Sequence, residues 1–408
     1  MNFKILILVL LTLGHLYRLL LNIVQNRSAN NPTPANVADV YDAETYEKWK
    51  RYSAEKGRLG VIATLVSYGV MVLMLLSGVY ATVAAWFPKA VFFQLLAVVL
   101  LQSVVDAISN GALNYVENMI IEQKYGFNRS TMKTWITDQV RNLLLEILLG
   151  AGLSWILSGL HRGLGDWMIL LFAGVVFCIT LLISFLYPIF SRIGNKFVPL
   201  EEGELKEKLM GLLTKHGYQV KAIEVMDASR RTTKLNAYFT GFGKLKTIVL
   251  YDNLVNAMTP DEICAVFAHE LGHGLNKDVL KQQIMNVGNL LLMAVVVWLA
   301  VREPMLHEAF GFGQVNYGFA YILMGIGLGL VQPVTGMAMH AYSRFAEYRA
   351  DRQAVEEGYG KALVGGLKKL AKENFAHLAP AKLLVVLEYS HPPLSERIEA
   401  IEKSLKEK

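Results

Sequence analysis

Two histidines and a glutamate stand at a spacing that suits metal-dependent hydrolysis, in the run Ala268-His269-Glu270-Leu271-Gly272-His273. If this run is helical, side chains four residues apart project from one face, so both imidazoles can ligate one metal ion. Glu270 lies beside the same site and can accept a proton from metal-bound water. Zinc lowers the pKa of such water from about 15.7 towards about 7, which generates hydroxide at neutral pH.

The residues around this motif predict the helix that it requires. Thr259 is a suitable N-cap, Pro260 suits the first helical position, and Glu262 three residues after the cap completes a capping-box pattern. Gly274 and Asn276 predict the end of the helix. The alternative reading is a pair of structural histidines that bind no metal.

A third ligand is needed, because a catalytic zinc ion usually takes three protein ligands and leaves one position open. The segment 343–351 offers Glu347 and Asp351, four residues apart on one face of a predicted helix. One carboxylate can ligate the metal while the other accepts the free N–H of a ligand histidine. The residues alone do not distinguish the two, and a solvated acidic face is an equal alternative.

The composition indicates a membrane protein. Of 408 residues, 53% are apolar and only 18% are charged, whereas soluble domains carry about a quarter charged residues. Crossing a bilayer takes about 20 apolar residues, and the seven runs that meet this length are 3–24, 59–86, 90–113, 143–160, 167–190, 284–301 and 317–341. The first run lacks a small-residue cleavage site, so we expect a retained helix rather than a signal peptide.

Lysine and arginine alternate between rich and poor connections along these runs. The positive-inside rule then places the N-terminus outside and the C-terminus in the cytosol. The expected location is the inner membrane of a bacterium or the endoplasmic reticulum membrane of a eukaryote, with the lipid bilayer as a partner. The sequence shows no compact basic stripe interleaved with aromatic residues, so nucleic acid is not an expected partner.

Polar residues recur every fourth position in the third run, at Gln102, Asp106, Asn110 and Asn114. They should line one side of a helix. Intramembrane polar groups usually face a bundle interior or a water-filled cavity, and we favour such a hydrated interior here. The alternative is hydrogen bonding between neighbouring helices.

A small sheet is predicted ahead of the metal-motif helix. Segments 222–226, 236–240 and 247–251 are rich in branched and aromatic residues typical of strands, and the middle segment is followed by the turn signal Gly241-Phe242-Gly243.

Taken together, these features resemble the type I CAAX prenyl endopeptidase family, which comprises integral-membrane gluzincin zinc metalloproteases. The main resemblance lies in the His269–His273 motif and the Glu347-x-x-x-Asp351 pair, about eighty residues apart with two predicted spans between them. Further stretches that resemble the family are 124–128, 195–200 with 203–205, 236–239 and 390–397, and together they span most of the chain from about residue 115 to its end.

The resemblance implies roles for individual residues. His269, His273 and Glu347 would bind one Zn²⁺ per chain, Glu270 would be the general base, and Asp351 would support a ligand histidine. The peptide would lie along an edge strand, made by Asn236, Ala237, Tyr238 and Phe239, with Asn236 as a side-chain clamp. His391 and Arg397 would face the scissile carbonyl and stabilise its oxyanion.

The expected fold is mainly α-helical: a polytopic bundle of about seven transmembrane helices with a cytosol-facing, gluzincin-like metalloprotease region that contains a small sheet. We expect helices 1–5 and two cytosolic loops in 1–190, and the sheet and motif helix in a cytosolic region, 191–283. Helices 6 and 7 should occupy 284–341, and a cytosolic catalytic region with the third ligand should occupy 342–408.

The expected function is hydrolysis of peptide bonds in a peptide or protein substrate, including substrates prenylated at a C-terminal CAAX box. One alternative is a quality-control protease that cleaves non-prenylated membrane proteins. Another class of alternatives is a membrane transporter, or a scaffold with a non-catalytic metal site. A transporter leaves the metal motif unexplained, and a scaffold leaves Glu270 without a purpose.

Overall fold

Helices dominate the computed structural model, which describes residues 2–190, 192, 195–218, 221–240 and 247–408. The helices are α1 Phe3–Ser28, α2 Ala43–Leu76, α3 Val79–Ala85, α4 Val91–Tyr115, α5 Met132–Leu164, α6 Met168–Phe190, α7 Glu204–Lys215, α8 Asp252–Ala257, α9 Pro260–Leu275, α10 Asp278–Arg302, α11 Pro304–Glu308, α12 Tyr317–Glu356, α13 Gly360–Glu373, α14 Lys382–Glu388 and α15 Leu394–Glu407. The strands are β1 Phe197–Pro199, β2 Ala222–Met226, β3 Ala237–Thr240 and β4 Thr247–Tyr251. The predicted fold class, mainly α-helical with a small sheet, is confirmed, while the turn at 241–243 lies outside the described residues.

Within the described residues, six stretches are long and apolar enough to cross a membrane, and one of them, Met132–Ile183, runs through both α5 and α6. Large apolar side chains cover the outside of these helices; Leu73, Ile108 and Leu148 are 67%, 70% and 67% exposed. Such broad apolar exposure is unfavourable in water and suits contact with lipid. The helices therefore form a membrane bundle, close to the seven spans predicted.

The second predicted span, 59–86, is interrupted. Helix α2 ends at Leu76, and Gly78 adopts a φ of 70° before the short α3 begins. Glycine takes this left-handed conformation without the steric cost of a Cβ. The single apolar run thus contains two helices because one glycine breaks the backbone direction.

The polar stripe of α4 both lines a cavity and forms a hydrogen bond between neighbouring helices. Gln102 donates a 2.8 Å hydrogen bond to Asp106, and both line a cavity of about 380 Å³ that Arg18 also borders. Asn114, by contrast, accepts a 2.8 Å hydrogen bond from the indole of Trp135 on α5. One end of the stripe therefore faces a cavity that a few polar side chains share with many apolar ones, and the other end joins two helices.

The four strands form one sheet in the order β1-β2-β4-β3. Strands β2 and β4 are parallel, and the two outer strands pair antiparallel to them. Strand β1 was not predicted, since three residues are too few for a clear alternating pattern. The sheet shares a core with α7, α9 and α13, where Leu209, Ile248 and Ile263 are almost fully buried.

Helices α9 and α12 approach one another closely at a glycine. A Cβ added to Gly272 would lie 2.9 Å from the Cα of Ala350 and 3.0 Å from the Cβ of Gln353. Only a residue without a side chain permits this approach, because the nearest obstacle is backbone. Gly272 therefore sets the distance between the two helices.

We expect Gly272→Ala to destabilise the protein by about 1–3 kcal/mol, because overpacking forces α9 and α12 apart. The measurement is the Tm of the detergent-solubilised protein. Gly211→Ala on α7 is the matched control, since a Cβ there meets open space and alanine favours the helix. An unchanged Tm for Gly272→Ala would show that the helix spacing does not depend on this glycine.

Candidate metal centre and substrate-binding edge

Helix α9 presents His269 and His273 to one site. Its start is fixed by the predicted capping box: Thr259 N donates to Glu262 Oε2 at 2.8 Å, and Glu262 N donates to Thr259 Oγ1 at 3.3 Å. The two imidazole rings lie 4.9 Å apart, centroid to centroid, at 89° to each other. The helix therefore aims both rings at a common point.

Glu347 on α12 completes the group. Its carboxylate oxygens lie 3.5 Å from His269 Nε2 and 3.3 Å from His273 Nε2. One ligand atom from each of the three residues falls within 4.8 Å of the others, so among the described residues these three form a group that could hold a metal ion. Glu347 Oε2 is buried and makes no hydrogen bond within the described residues, with Arg397 Nη1 at 3.2 Å as an ion-pair neighbour, and a cation shared with the imidazoles would satisfy it.

The other nitrogen of each histidine contacts a buried carboxylate. His269 Nδ1 donates to Asp351 at 2.8 Å, and His273 Nδ1 donates to Asp278 at 3.0 Å. These bonds orient both rings so that Nε2 faces Glu347. Although burial alone would lower it, the hydrogen bonds to Glu347 and Asp278 raise the pKa of His273 to about 9.

Asp278 was missed by the sequence reasoning. It is 2% exposed and also accepts hydrogen bonds from Tyr342 at 2.8 Å and from Arg349. Its position five residues after His273 was the available signal. That spacing does not by itself predict contact, because the chain bends at Lys277 (φ 54°) between α9 and α10.

Arg397 lies behind the carboxylates. Its guanidinium donates to both oxygens of Asp351, at 2.9 and 2.6 Å, and lies 3.2 Å from Glu347 Oε2. The residue is 9% exposed. The observed contacts are thus with the metal-site carboxylates, and its contact with a substrate carbonyl stays a prediction.

His391 borders the site from the other side. Its Nε2 lies 3.4 Å from Glu347 Oε1, while its side chain is 64% exposed. Glu270 is half-buried and lines the same cavity of about 520 Å³, together with His269, Glu347 and Arg397. A substrate in this cavity would therefore touch both the predicted base and His391.

Strand β3 ends the sheet beside this cavity. Asn236 and Ala237 line the cavity, whereas the ring of Tyr238 packs against Tyr251, 6.4 Å away between centroids. Phe239 lies opposite Ile248 of β4, and its side chain lies outside the described part of the chain. Strand β3 is therefore an outer strand beside the cavity, and the binding of substrate along it stays a prediction.

The fold and the site match known proteins over nearly the whole chain. The model of the CAAX prenyl protease N-terminal domain, with five membrane helices, matches residues 4–192, and that of Peptidase family M48 matches residues 199–405. The CAAX prenyl protease 1 homolog of Oryza sativa subsp. japonica is 31% identical, over 97% of this chain and 96% of that protein.

Two further comparisons agree. The CAAX prenyl protease 1 of Saccharomyces cerevisiae is 28% identical, over 90% of this chain and 88% of that protein. The crystal structure of S. mikatae Ste24p superposes with a TM-score of 0.90 at 26% identity, covering 98% of this chain and 99% of that one. These likenesses do not favour a transporter, a scaffold or a separate quality-control protease. The chain belongs to Peptidase family M48, as a membrane zinc metalloendopeptidase of the CAAX prenyl protease type.

Proposed function

We propose that this chain binds one Zn²⁺ through His269, His273 and Glu347 and uses it to cleave prenylated CAAX proteins. The observation that carries the site is the convergence of three ligand atoms within 4.8 Å of one another. Two imidazoles and one carboxylate are a ligand set of catalytic zinc sites, which keep one position open.

When bound, zinc supplies a Lewis acid and a water molecule of lowered pKa. Glu270 takes the proton of the attacking water and later delivers it to the leaving amine. Asp351 and Asp278 hold the ligand histidines in the tautomer that presents Nε2, through Nδ1 contacts of 2.8 and 3.0 Å. Each step that this chain contributes is therefore proton transfer or orientation.

The peptide is proposed to add to the outer edge of β3 by main-chain hydrogen bonds. Asn236 would hold the peptide through its side-chain amide, and Ala237 would present its backbone to the cavity. His391 would donate to the scissile carbonyl oxygen from the exposed wall. Arg397 would add positive charge from the far side of Glu347, while its hydrogen bonds to Asp351 hold the guanidinium in place.

The substrate class rests on the relatives, which are named CAAX prenyl protease 1 and its homologs. Cleavage in the cytosol requires the orientation inferred from the basic loops, with the N-terminus outside and the C-terminus inside. The proposed regions are 1–190, 191–283, 284–341 and 342–408. The matched five-helix region at 4–192 supports the first of these divisions.

The proposal is tested by offering the purified, detergent-solubilised protein a farnesylated CAAX peptide and its unmodified counterpart, with and without a zinc chelator. We expect chelator-sensitive cleavage of the farnesylated peptide. Cleavage of the unmodified peptide alone would keep the metalloprotease and remove the prenyl requirement. No cleavage of either by zinc-loaded protein would contradict the proposal.

Glu270→Gln should lower kcat by about 10²- to 10⁴-fold, the usual contribution of a general base. Zinc content should stay near one per chain, because Glu270 is not a proposed ligand. Metal analysis and peptide cleavage on the same preparation provide the two readouts. Activity close to wild type would exclude Glu270 as the base.

Asp278→Asn should weaken zinc binding about 10- to 100-fold, because it replaces the carboxylate that orients His273. Competition with a chromophoric chelator measures this affinity without reference to activity. Asp252→Asn is a control for the loss of a hydrogen-bonded carboxylate elsewhere in the protein. Asp252 accepts hydrogen bonds from Ser229, away from the metal centre. Equal zinc affinity in Asp278→Asn and wild type would show that Asp278 does not support the ligand.

A further inference from the structure

We propose that Asn374 is a positioning residue that closes one end of the substrate-binding edge and thereby fixes the register of the bound peptide. The inference rests on the proposed function, in which β3 receives the substrate. It concerns a residue outside the metal centre and outside the strand itself.

The side-chain amide of Asn374 pairs with both main-chain polar groups of one residue. Leu235 N donates to Asn374 Oδ1 at 3.0 Å, and Asn374 Nδ2 donates to Leu235 O at 3.3 Å. This is the pattern of one rung of a β-ladder, with a side chain in place of the neighbouring strand. Leu235 comes two residues before β3 begins at Ala237.

The direction in which the backbone polar groups point decides where a peptide can pair with this edge. Tyr251 N donates to Asn236 O at 3.1 Å, so the polar groups of Asn236 face β4. In an antiparallel pair, successive residues alternate between facing the partner and facing away. The groups of Leu235, Ala237 and Phe239 therefore face the outer edge, and Asn374 occupies the first of these three positions.

Ala237 N donates to Asn236 Oδ1 at 2.9 Å, so a peptide that adds to this edge can pair with Ala237 O and from Phe239 onward but not at Leu235. Asn374 lines the same cavity as Glu270 and Glu347, so the closed end of the edge opens onto the cavity that contains the proposed metal site. Because equivalent edge positions recur every two residues, a peptide that slips must move by two residues to keep its side chains on the same faces. Asn374 blocks one such slip.

The position of Asn374 is itself fixed by an unusual turn. Asn374 ends α13, and the next residue, Phe375, has a φ of 50°. A non-glycine residue adopts this left-handed conformation only where its surroundings hold it there. The turn is therefore maintained by contacts rather than by local preference.

Those contacts come from an aromatic cluster formed by Tyr41, Trp49, Tyr52, Tyr125 and Phe127. The ring of Phe375 packs edge-on against Phe127 at 4.9 Å and against Tyr52 at 5.7 Å, centroid to centroid. Trp49 Nε1 donates to Phe375 O at 3.2 Å. The N-terminal part of the chain thus holds the turn that carries Asn374.

The test uses the full-length protein and the peptide that the wild type cleaves, extended so that it covers the whole of β3. We expect Asn374→Ala to raise KM about three- to tenfold, because an edge no longer held at Leu235 must be ordered when the peptide binds, with kcat within about twofold. Mass spectrometry should show a second cleavage product shifted by two residues. Zinc content should equal that of the wild type.

Two further variants keep the test decisive. Asn374→Asp retains the shape and the acceptor for Leu235 N but cannot donate to Leu235 O, so it should also raise KM and yield the shifted product. Asn31→Ala is the matched control, because Asn31 likewise donates to a backbone carbonyl, Ala379 O, at 2.9 Å but away from β3. Its KM and single product should match those of the wild type.

The inference is overturned if both Asn374 variants keep the wild-type KM and a single product. It is also overturned if they lose zinc and kcat together with no shifted product, which would indicate a general structural role. Failure of the proposed function is recognised separately, by wild-type protein that shows no chelator-sensitive cleavage.

Discussion

The contact between Gly272 and Ala350 is the constraint on which the metal centre depends. Helix α9 supplies both histidines and α12 supplies Glu347, so neither helix holds a complete site. The Nε2 atoms lie 3.3–3.5 Å from the glutamate oxygens because the two backbones meet without an intervening side chain. A separation larger by one methyl group would exceed the tolerance of about 0.2 Å that metal coordination allows.

Charge balance is the second organising feature of the site. Four carboxylates lie around the histidines, those of Glu270, Glu347, Asp351 and Asp278. Among the described residues, the guanidinium groups of Arg397 and Arg349 contact the last three of these carboxylates. Burying unpaired carboxylates is costly, and a divalent cation would balance the excess of negative charge.

Local patterns made much of this arrangement predictable. The cap at Thr259, the histidine spacing and the strands at 222–226 and 247–251 depend on residues close in sequence, and the structure has them where they were expected. The contact of Asp278 with His273 was not predictable, because it depends on the bend at Lys277. The contact of Asn374 was not predictable, because it depends on how distant segments meet. Asn374 and Leu235, for example, are 139 residues apart.

The same limit applies to backbone conformation. The left-handed residue after α13 is a phenylalanine, and sequence rules assign that conformation to glycine. Only the tertiary packing of its ring explains it. Conversely, the helix break at Gly78 occurs at a glycine, as such rules favour. The end of α2 was still not predicted, because the apolar run continues on both sides of it.

Helix α12 is one continuous helix that contains both an apolar membrane segment and a proposed metal ligand. Glu347 lies thirty residues beyond Tyr317, about 45 Å along the axis at 1.5 Å per residue. A tilt of about 1° at the far end would shift the glutamate by about 0.8 Å, and bilayer thickness is a property that changes helix tilt. Pro333, which removes one hydrogen bond from the helix, is the position where such bending can be absorbed. The tilt of the apolar part of α12 and the position of Glu347 are therefore coupled to the extent that the helix stays straight at Pro333.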